Sequence, residues 1–419
     1  MMKQSKKIKL PVDKLLVGFM VDLELTWTQH PFLFSKFKID SKNDIAVIKQ
    51  LGLKEVTVFP EQSDIEVAHQ AQSDGSTNEA PQKLFDQQWR TKNSKLERAD
   101  KYRKKRSSVA KKYKERATMM RKLTRELKTE PANAIHNASD LVESIAVDFD
   151  NQNELLTNLV NLGGGQHTMY NHCINVTILS MNLANACGVS GDELRLLARG
   201  ALLHDVGKIE LPDTIVNKAG KLSKAEFGVY QQHTQTGRRL CELTQETPAA
   251  VLQIIESHHE FLDGSGFPKQ LKEEQISKLT RIVTIANTYD NLCNPADSEH
   301  AMTPKVALAT MYSRFKDKLD NKLVQTFIST LGIYPPGSVV SLSDESIGLV
   351  ISVDPKQMLS PEVLLYNPEI PVLQALIINL QEYPDLKIEK VLKPNEYPKR
   401  IYEYLGVEER LGYMTSSRN

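Results

Sequence analysis

The chain has 419 residues, 40% of them hydrophobic and 25% charged, a composition that excludes a disordered or fibrous protein and leaves room for two or three folded domains. Its net charge of +1 offers no bulk attraction to nucleic acid or membrane, and its longest apolar runs, such as Val372 to Leu380, are strand-sized, well short of the ~18 residues that a membrane span needs. The basic start, Met1-Met2-Lys3-Gln4-Ser5-Lys6-Lys7, runs into Pro11 rather than an apolar core, so a secretory signal is not expected and the cytoplasm is the default compartment.

Residues 1–60 alternate short β-like runs (Ile8 to Leu10, Leu16 to Leu25, Phe32 to Ile39, Glu55 to Phe59) with one helical stretch from Ser41 to Leu51, which predicts a small α+β module. Residues 61–82 are rich in Gln, Ser, Asp and Asn with almost no large apolar side chain, and read as a flexible linker. Residues 83–131 read as a long basic helix. Between Arg90 and Lys128 there are 17 Lys or Arg against four acids, a net +13, so the rest of the chain carries about −12. The apolar residues there are sparse, which predicts a solvated helix pairing with acidic surface on this chain or on a second subunit. No helix-turn-helix pattern or stacking aromatics accompany the charge, so nucleic acid is not the expected partner.

From 132 to 335 the periodicity is helical throughout, with helices expected at Ser139 to Val160, Gln166 to Ala186, Gly191 to Leu203, Lys224 to Glu242, Pro248 to His259, Gln275 to Asn291, Pro304 to Phe315 and Asp320 to Thr330. Residues 336–419 read as a β-rich appendage, with strands at Ser338 to Leu342, Ile347 to Val353, Val363 to Tyr366 and Val372 to Leu380. The predicted fold class is therefore mainly α, a helical core between two small modules. The cysteines Cys173, Cys187, Cys241 and Cys293 are too far apart for a zinc knuckle or redox pair, and read as buried thiols.

Half of the ten histidines fall in one arrangement inside the helical core, as His172, His204, His233 and the pair His258-His259. His204-Asp205 closes an apolar helix and is followed by Val206-Gly207-Lys208, which sets an imidazole, a carboxylate and an ammonium within one turn. Histidines and a carboxylate are ligands for a borderline divalent metal, and a nearby lysine neutralises phosphate charge. A core imidazole satisfied by a backbone carbonyl accounts for one such histidine, not for five.

The chain carries five ordered blocks, four of which hold these residues: Tyr170-Asn-His-Cys-Ile-Asn-Val176, His204-Asp-Val-Gly-Lys208, Asn217-Lys-Ala-Gly-Lys-Leu222, Gln232-His-Thr-Gln-Thr-Gly237 and His258-His-Glu-Phe-Leu-Asp-Gly-Ser-Gly-Phe-Pro268. In this the chain resembles the HD-GYP subgroup of the HD phosphohydrolases, and residues 1–60 resemble the small domain often found ahead of such cores. The resemblance implies an all-α HD-type core and a bacterial signalling phosphodiesterase that hydrolyses cyclic di-GMP to linear pGpG or GMP. It implies two divalent ions, iron or manganese, with His172, His204, Asp205, His233, His258 and His259 as ligands and Asp205 bridging. Asp205 and Lys208 would be the catalytic pair, Lys208 stabilising charge on the phosphoryl group. Members with a third metal have an acid where this chain has Thr168, so a third ion is not expected.

Two departures bear on function. The resemblance puts a metal-binding aspartate where this chain has Asn287, whose amide oxygen coordinates a hard cation but brings no charge; Asp290, three residues on, is a candidate substitute or a packing residue. Asn294-Pro295-Ala296 stands where many members have an Arg-Pro-Tyr substrate contact. A receptor or scaffold that binds cyclic dinucleotide without turnover, or an enzyme for cyclic GMP-AMP, are the alternatives these changes leave open. Glu260 and Asp263 are candidates for orienting the histidines, with a turn role as the rival for Asp263. A protein partner at the Gly264–Pro268 loop and a homodimer complete the expectations.

Overall fold

The computed structural model describes residues 7–32, 34–64, 81–162, 168–218, 220–244, 246–295, 300–368, 370–372, 375–393 and 397–407. The linker expected at 61–82 therefore lies mostly outside the described residues, as do Ala296, His69 and His167. The chain is mainly helical and divides into two compact units, residues 1–101 with 367–377, and 102–366 with 378–419.

In the first unit β1 (Ile8–Pro11), β2 (Met20–Asp22), β3 (Lys36–Lys38) and β4 (Glu55–Val58) form an antiparallel sheet in the order β1-β4-β2-β3. Helix α1 (Lys42–Gln50) starts at a capping box in which Ser41 and Asp44 satisfy each other's backbone N–H groups. Its Val47 and Ile48 are buried in one core with Val21 and Val56 of the sheet and with Ile39, which follows β3. The expected runs from Leu16 to Leu25 and Phe32 to Ile39 shrink to three-residue strands, the first being interrupted by positive-φ backbone at Gly18 and Glu24.

Helix α2 (Pro81–Thr129) runs from the first unit into the second. It has no interior Gly or Pro and opens with Pro at its first position, both favourable to one long helix. Its basic character does not leave it wholly solvated. Val109, Tyr113, Met120, Leu123 and Leu127 fall on one stripe and are buried in the core of the second unit. Arg116, only 3% exposed, is bound to Ser144 and to Asp148 Oδ2 at 2.5 Å, while Lys112 meets Asp148 Oδ1 at 2.7 Å. The charge count of the segment hid this stripe.

The second unit continues with α3 (Pro131–Leu162), α4 (Met169–Ala186), α5 (Gly191–Leu203), the 3-10 turn Val206–Glu210, α6 (Asp213–Val216), α7 (Lys224–Gln231), α8 (His233–Glu242), α9 (Ala249–Ser257), α10 (Lys278–Cys293), α11 (Pro304–Arg314) and α12 (Asn321–Leu331). Helix α4, almost wholly buried, packs against α5 and α10. The single helix expected from Lys224 to Glu242 breaks at Gln232, and this break places His233 at the head of α8. The helix expected from Gln275 starts instead at Lys278, after Ser277 caps Thr280 N–H.

The C-terminal strands β5 (Val339–Leu342), β6 (Ile347–Ser352), β7 (Glu362–Tyr366), β8 (Ile377–Asn379) and β9 (Ile388–Val391) form a five-stranded sheet in the order β8-β7-β6-β5-β9. Strand β9 and the closing helix α13 (Lys399–Leu405) were not expected. The first is four residues long and half charged, and the second has only seven residues, too few to establish a period. No helix among the described residues is long and apolar enough to cross a membrane, and the four cysteines are free thiols.

Candidate metal centre

The predicted histidines arrive from helix ends. His172 projects from the first turn of α4, His204 caps the C-terminus of α5, His233 opens α8, and His258 caps α9 with His259 next. Asp205 follows His204 directly and leads into the 3-10 turn. Ends serve this purpose because the chain turns there, so that side chains from four helices converge on one point.

Gly207 makes the convergence possible. A Cβ built on it would lie 1.9 Å from His233 O and 2.5 Å from Gly237 N, so only a glycine lets the 3-10 turn lie against α8. Gly266 is similarly confined, its notional Cβ falling 2.5 Å from His259 O.

Asp205, 1% exposed, stands at the centre. Its Oδ2 faces His172 Nε2 and His204 Nε2, each at 3.5 Å, while its Oδ1 faces His233 Nε2 at 3.3 Å and His258 Nε2 at 3.7 Å. One carboxylate thus joins two ligand groups: His172, His204 and Asp205 on one side, and Asp205, His233, His258 and His259 on the other, the ligand atoms in each lying within 4.8 Å of one another.

The ring tautomers follow from the outer contacts. The Nδ1–H groups of His204, His233 and His258 donate to the carbonyls of Ala201, Tyr230 and Ile255, each three residues earlier, at 2.7, 2.6 and 2.9 Å. His172 Nδ1 meets Asp290 Oδ2 at 2.6 Å. Each Nε2 therefore presents a lone pair inward. Burial holds His204 and His259 well below the usual imidazole range and lowers His233, so these rings are neutral. Burial alone would raise Asp205, but Lys208 and the imidazoles hold its carboxyl well below the usual range.

This donor set is left incomplete by the protein itself. His172 and His204 bring their Nε2 atoms to 3.2 Å, and His233 and His258 theirs to 3.3 Å, so that lone pairs oppose one another. Buried Asp205 Oδ1 and His259 Nε2 have no hydrogen-bond partner. Buried unpaired acceptors are costly, and a cation between them removes the cost, so the residues fit a metal.

Lys208 lies 2.6 Å from Asp205 Oδ2 and is 13% exposed, against 1% for that carboxylate. Burial would lower it, but Asp205 and Tyr230 more than offset this and hold it charged. Tyr230 lies under Lys208 and beside His233, a placement that sequence reasoning missed because the block carrying His233 begins after it, at Gln232.

The remaining candidates divide. Asn287 is buried, and its Oδ1 accepts from Asn291 Nδ2 at 2.7 Å. Asp290 is neither a replacement ligand within the two groups nor a mere packing residue, since it holds the outer nitrogen of His172. Glu260 contacts no histidine in the way anticipated: its carboxylate accepts from Lys269 N and Leu271 N and ties down the glycine-rich loop. Asp263 takes the turn role, accepting from Ser265 N. Phe267 stacks on His259 with ring centroids 4.5 Å apart.

The sequence matches the HD domain family over residues 93–323 and a domain of unknown function (DUF3391) over residues 7–138. It is 27% identical over 381 residues to the cyclic di-GMP phosphodiesterase PA4108 of Pseudomonas aeruginosa, with 88% of each chain covered. It is 35% identical over 147 residues to the cyclic di-GMP phosphodiesterase response regulator RpfG of Xanthomonas campestris, covering 35% of this chain and 39% of that one. A third relative, the 3'3'-cGAMP-specific phosphodiesterase 3 of Vibrio cholerae, is 31% identical over 165 residues, 39% of this chain and 35% of that one.

Proposed function

The chain belongs to the HD domain family, and on that footing we propose that it is a metal-dependent phosphodiesterase that hydrolyses a cyclic dinucleotide, cyclic di-GMP first, in cytoplasmic second-messenger signalling. The observation that carries the reading is the single buried Asp205 carboxylate, each of whose oxygens faces its own group of inward-pointing imidazole nitrogens. His172, His204 and Asp205 would hold one divalent ion, and Asp205, His233, His258 and His259 a second, iron or manganese. Asn287 adds at most a neutral amide oxygen. When bound, such a pair generates a nucleophile from water near neutral pH and neutralises charge on the attacking and leaving phosphate oxygens.

The chain's own residues do the rest. The carbonyls behind His204, His233 and His258 lock each ring in the metal-binding tautomer. Lys208, the cluster's most exposed charge, is the group that an incoming phosphoryl oxygen meets, and it stabilises the charge that builds there. Opening one phosphodiester of the ring yields linear pGpG, and cleaving the second yields GMP. The exposed flank of the Gly264–Pro268 loop would serve a protein partner, and a homodimer is the proposed assembly.

One observation favours a second reading, a receptor that binds cyclic dinucleotide without turnover: Asn287 brings no charge where two dications are to be held. Hydrolysis of cyclic di-GMP by anaerobically purified protein with added manganese or iron, against a His204→Ala, Asp205→Ala double variant, separates the two. Turnover lost in the variant is the expected result. Bound metal and nucleotide without turnover would replace the enzyme by the receptor.

A further inference from the structure

Behind His172 lies a chain of buried hydrogen bonds that the hydrolytic reading does not use. Asp290 Oδ2 accepts from His172 Nδ1 at 2.6 Å, and its Oδ1 accepts from Asn175 Nδ2 at 2.9 Å and Asn294 Nδ2 at 2.8 Å. Asn175 Oδ1 in turn accepts from the Tyr113 hydroxyl at 2.7 Å. Tyr113, Asn175, His172 and Asp290 are all 5% exposed or less. Spacing along the helices makes the arrangement: His172 and Asn175 are three apart on α4 and share a face, while Asn294, the C-cap of α10, lies one turn beyond Asp290.

The donors run in one direction. Burial and the nearby Asp290 push the Tyr113 hydroxyl up, so it stays protonated and donates. It therefore assigns the oxygen of Asn175 to itself and leaves the Asn175 amide N–H for Asp290; the reverse orientation would set an amide oxygen against a carboxylate. Asp290 is thereby held with one oxygen on His172. A carboxylate on the outer Nδ1–H fixes the plane of the ring and raises the basicity of Nε2, the atom that faces Asp205.

We propose that Tyr113, Asn175 and Asp290 form a positioning relay that orients His172 as a metal ligand, and that Asp290 delivers through His172 the negative charge that Asn287 does not supply. The inference rests on the two-metal reading above. It gives Asp290 a function that does not need direct coordination, and it makes the His172 side of the centre depend on a residue of α2, outside all five ordered blocks.

The test uses the full-length protein stripped of metal, titrated with Mn(II) against a fluorescent chelator, with the bound ions followed by electron paramagnetic resonance. Wild type is expected to take two ions that give an exchange-coupled signal. Asp290→Asn, which keeps the shape and removes the charge, is expected to weaken one ion about 10- to 100-fold and to leave the signal of isolated Mn(II). Tyr113→Phe should weaken the same ion by less. Thr177→Val, which deletes a buried hydroxyl that donates to Cys173 O on the same helix, should leave both ions in place. Wild-type binding in either Asp290→Asn or Tyr113→Phe overturns the relay, as does an equal loss in Thr177→Val, which would mark a general softening of α4. Unmutated protein that takes up no manganese would defeat the two-metal reading and the relay with it, a result visible before any variant is compared.

Discussion

Replacing Gly207 by alanine tests whether the centre depends on close backbone approach. The added Cβ would meet His233 O at 1.9 Å, Gly237 N at 2.5 Å and the His233 carbonyl carbon at 2.9 Å. All three are backbone atoms, so no side chain can swing away, and the 3-10 turn carrying Asp205 must separate from α8 carrying His233 by at least ~1 Å to reach ordinary contact distance. Overpacking of this kind costs about 1–3 kcal/mol, and the upper end applies because both sides of the contact are main chain. For a unit of this size about 3 kcal/mol lowers Tm by roughly 6–12 °C. The same displacement pulls Asp205 Oδ1 from His233 Nε2, now 3.3 Å apart. Metal uptake should therefore fall as well, and turnover by about 100-fold. Gly228→Ala on α7 is the control: nothing lies within 4 Å of its notional Cβ, and relief of glycine's backbone entropy predicts a gain of roughly 0.5–1 kcal/mol. Thermal unfolding by circular dichroism and metal analysis on the three proteins decide the matter. Gly207→Ala with wild-type Tm and metal content would refute the reasoning.

Asn287→Asp adds a carboxylate to which the Asn291 amide can still donate, and is expected to raise metal occupancy as measured by elemental analysis; unchanged content would show that this position does not face the ions. Asp148 is buried, which by itself would raise its pKa, but Lys112 and Arg116 hold it below its ordinary 3.8. A depressed carboxylate contributes stability above its unfolded pKa that is lost as pH falls through the folded value, so urea unfolding of Asp148→Asn should show a shallower acid dependence below about pH 4 than wild type. At pH 7 the same change leaves buried Arg116 without its counter-charge and should cost about 3–5 kcal/mol, and equal urea midpoints would exclude the pairing. In the N-terminal unit, Lys92 donates to the carbonyls of Trp27 at 2.5 Å and His30 at 2.7 Å and lies 3.8 Å from the Trp27 ring centroid. Lys92→Met strands both carbonyls and should destabilise that unit by roughly 1–3 kcal/mol per buried group, read as faster limited proteolysis there with metal content unchanged.

The cluster that could hold metal was legible in the sequence because its residue types are chemically distinctive and sit at helix ends, where His-Asp and His-His pairs stand out from a helical period. The helical core was legible for the same kind of reason, since burying one face of each helix writes a 3.6-residue period into the chain. The burial of α2 was not, because 17 basic residues swamp a stripe of five apolar ones, and a charge count does not record on which face a charge lies. Strand β9 and helix α13 escaped because segments of four and seven residues are too short to establish a period.

What the sequence by itself determined is the chemistry available: five imidazoles, one carboxylate and one ammonium in fixed order, with an amide where a further acid was expected. Only the tertiary structure decided how they divide. Asp205 turns one oxygen to each group of histidines, Glu260 serves the loop and not the centre, and Asp290 stands behind His172, joined through Asn175 to Tyr113 on a helix far earlier in the chain. The physical reason is that ligand identity is a property of single residues, whereas orientation comes from contacts between helices distant in sequence, which no local spacing encodes.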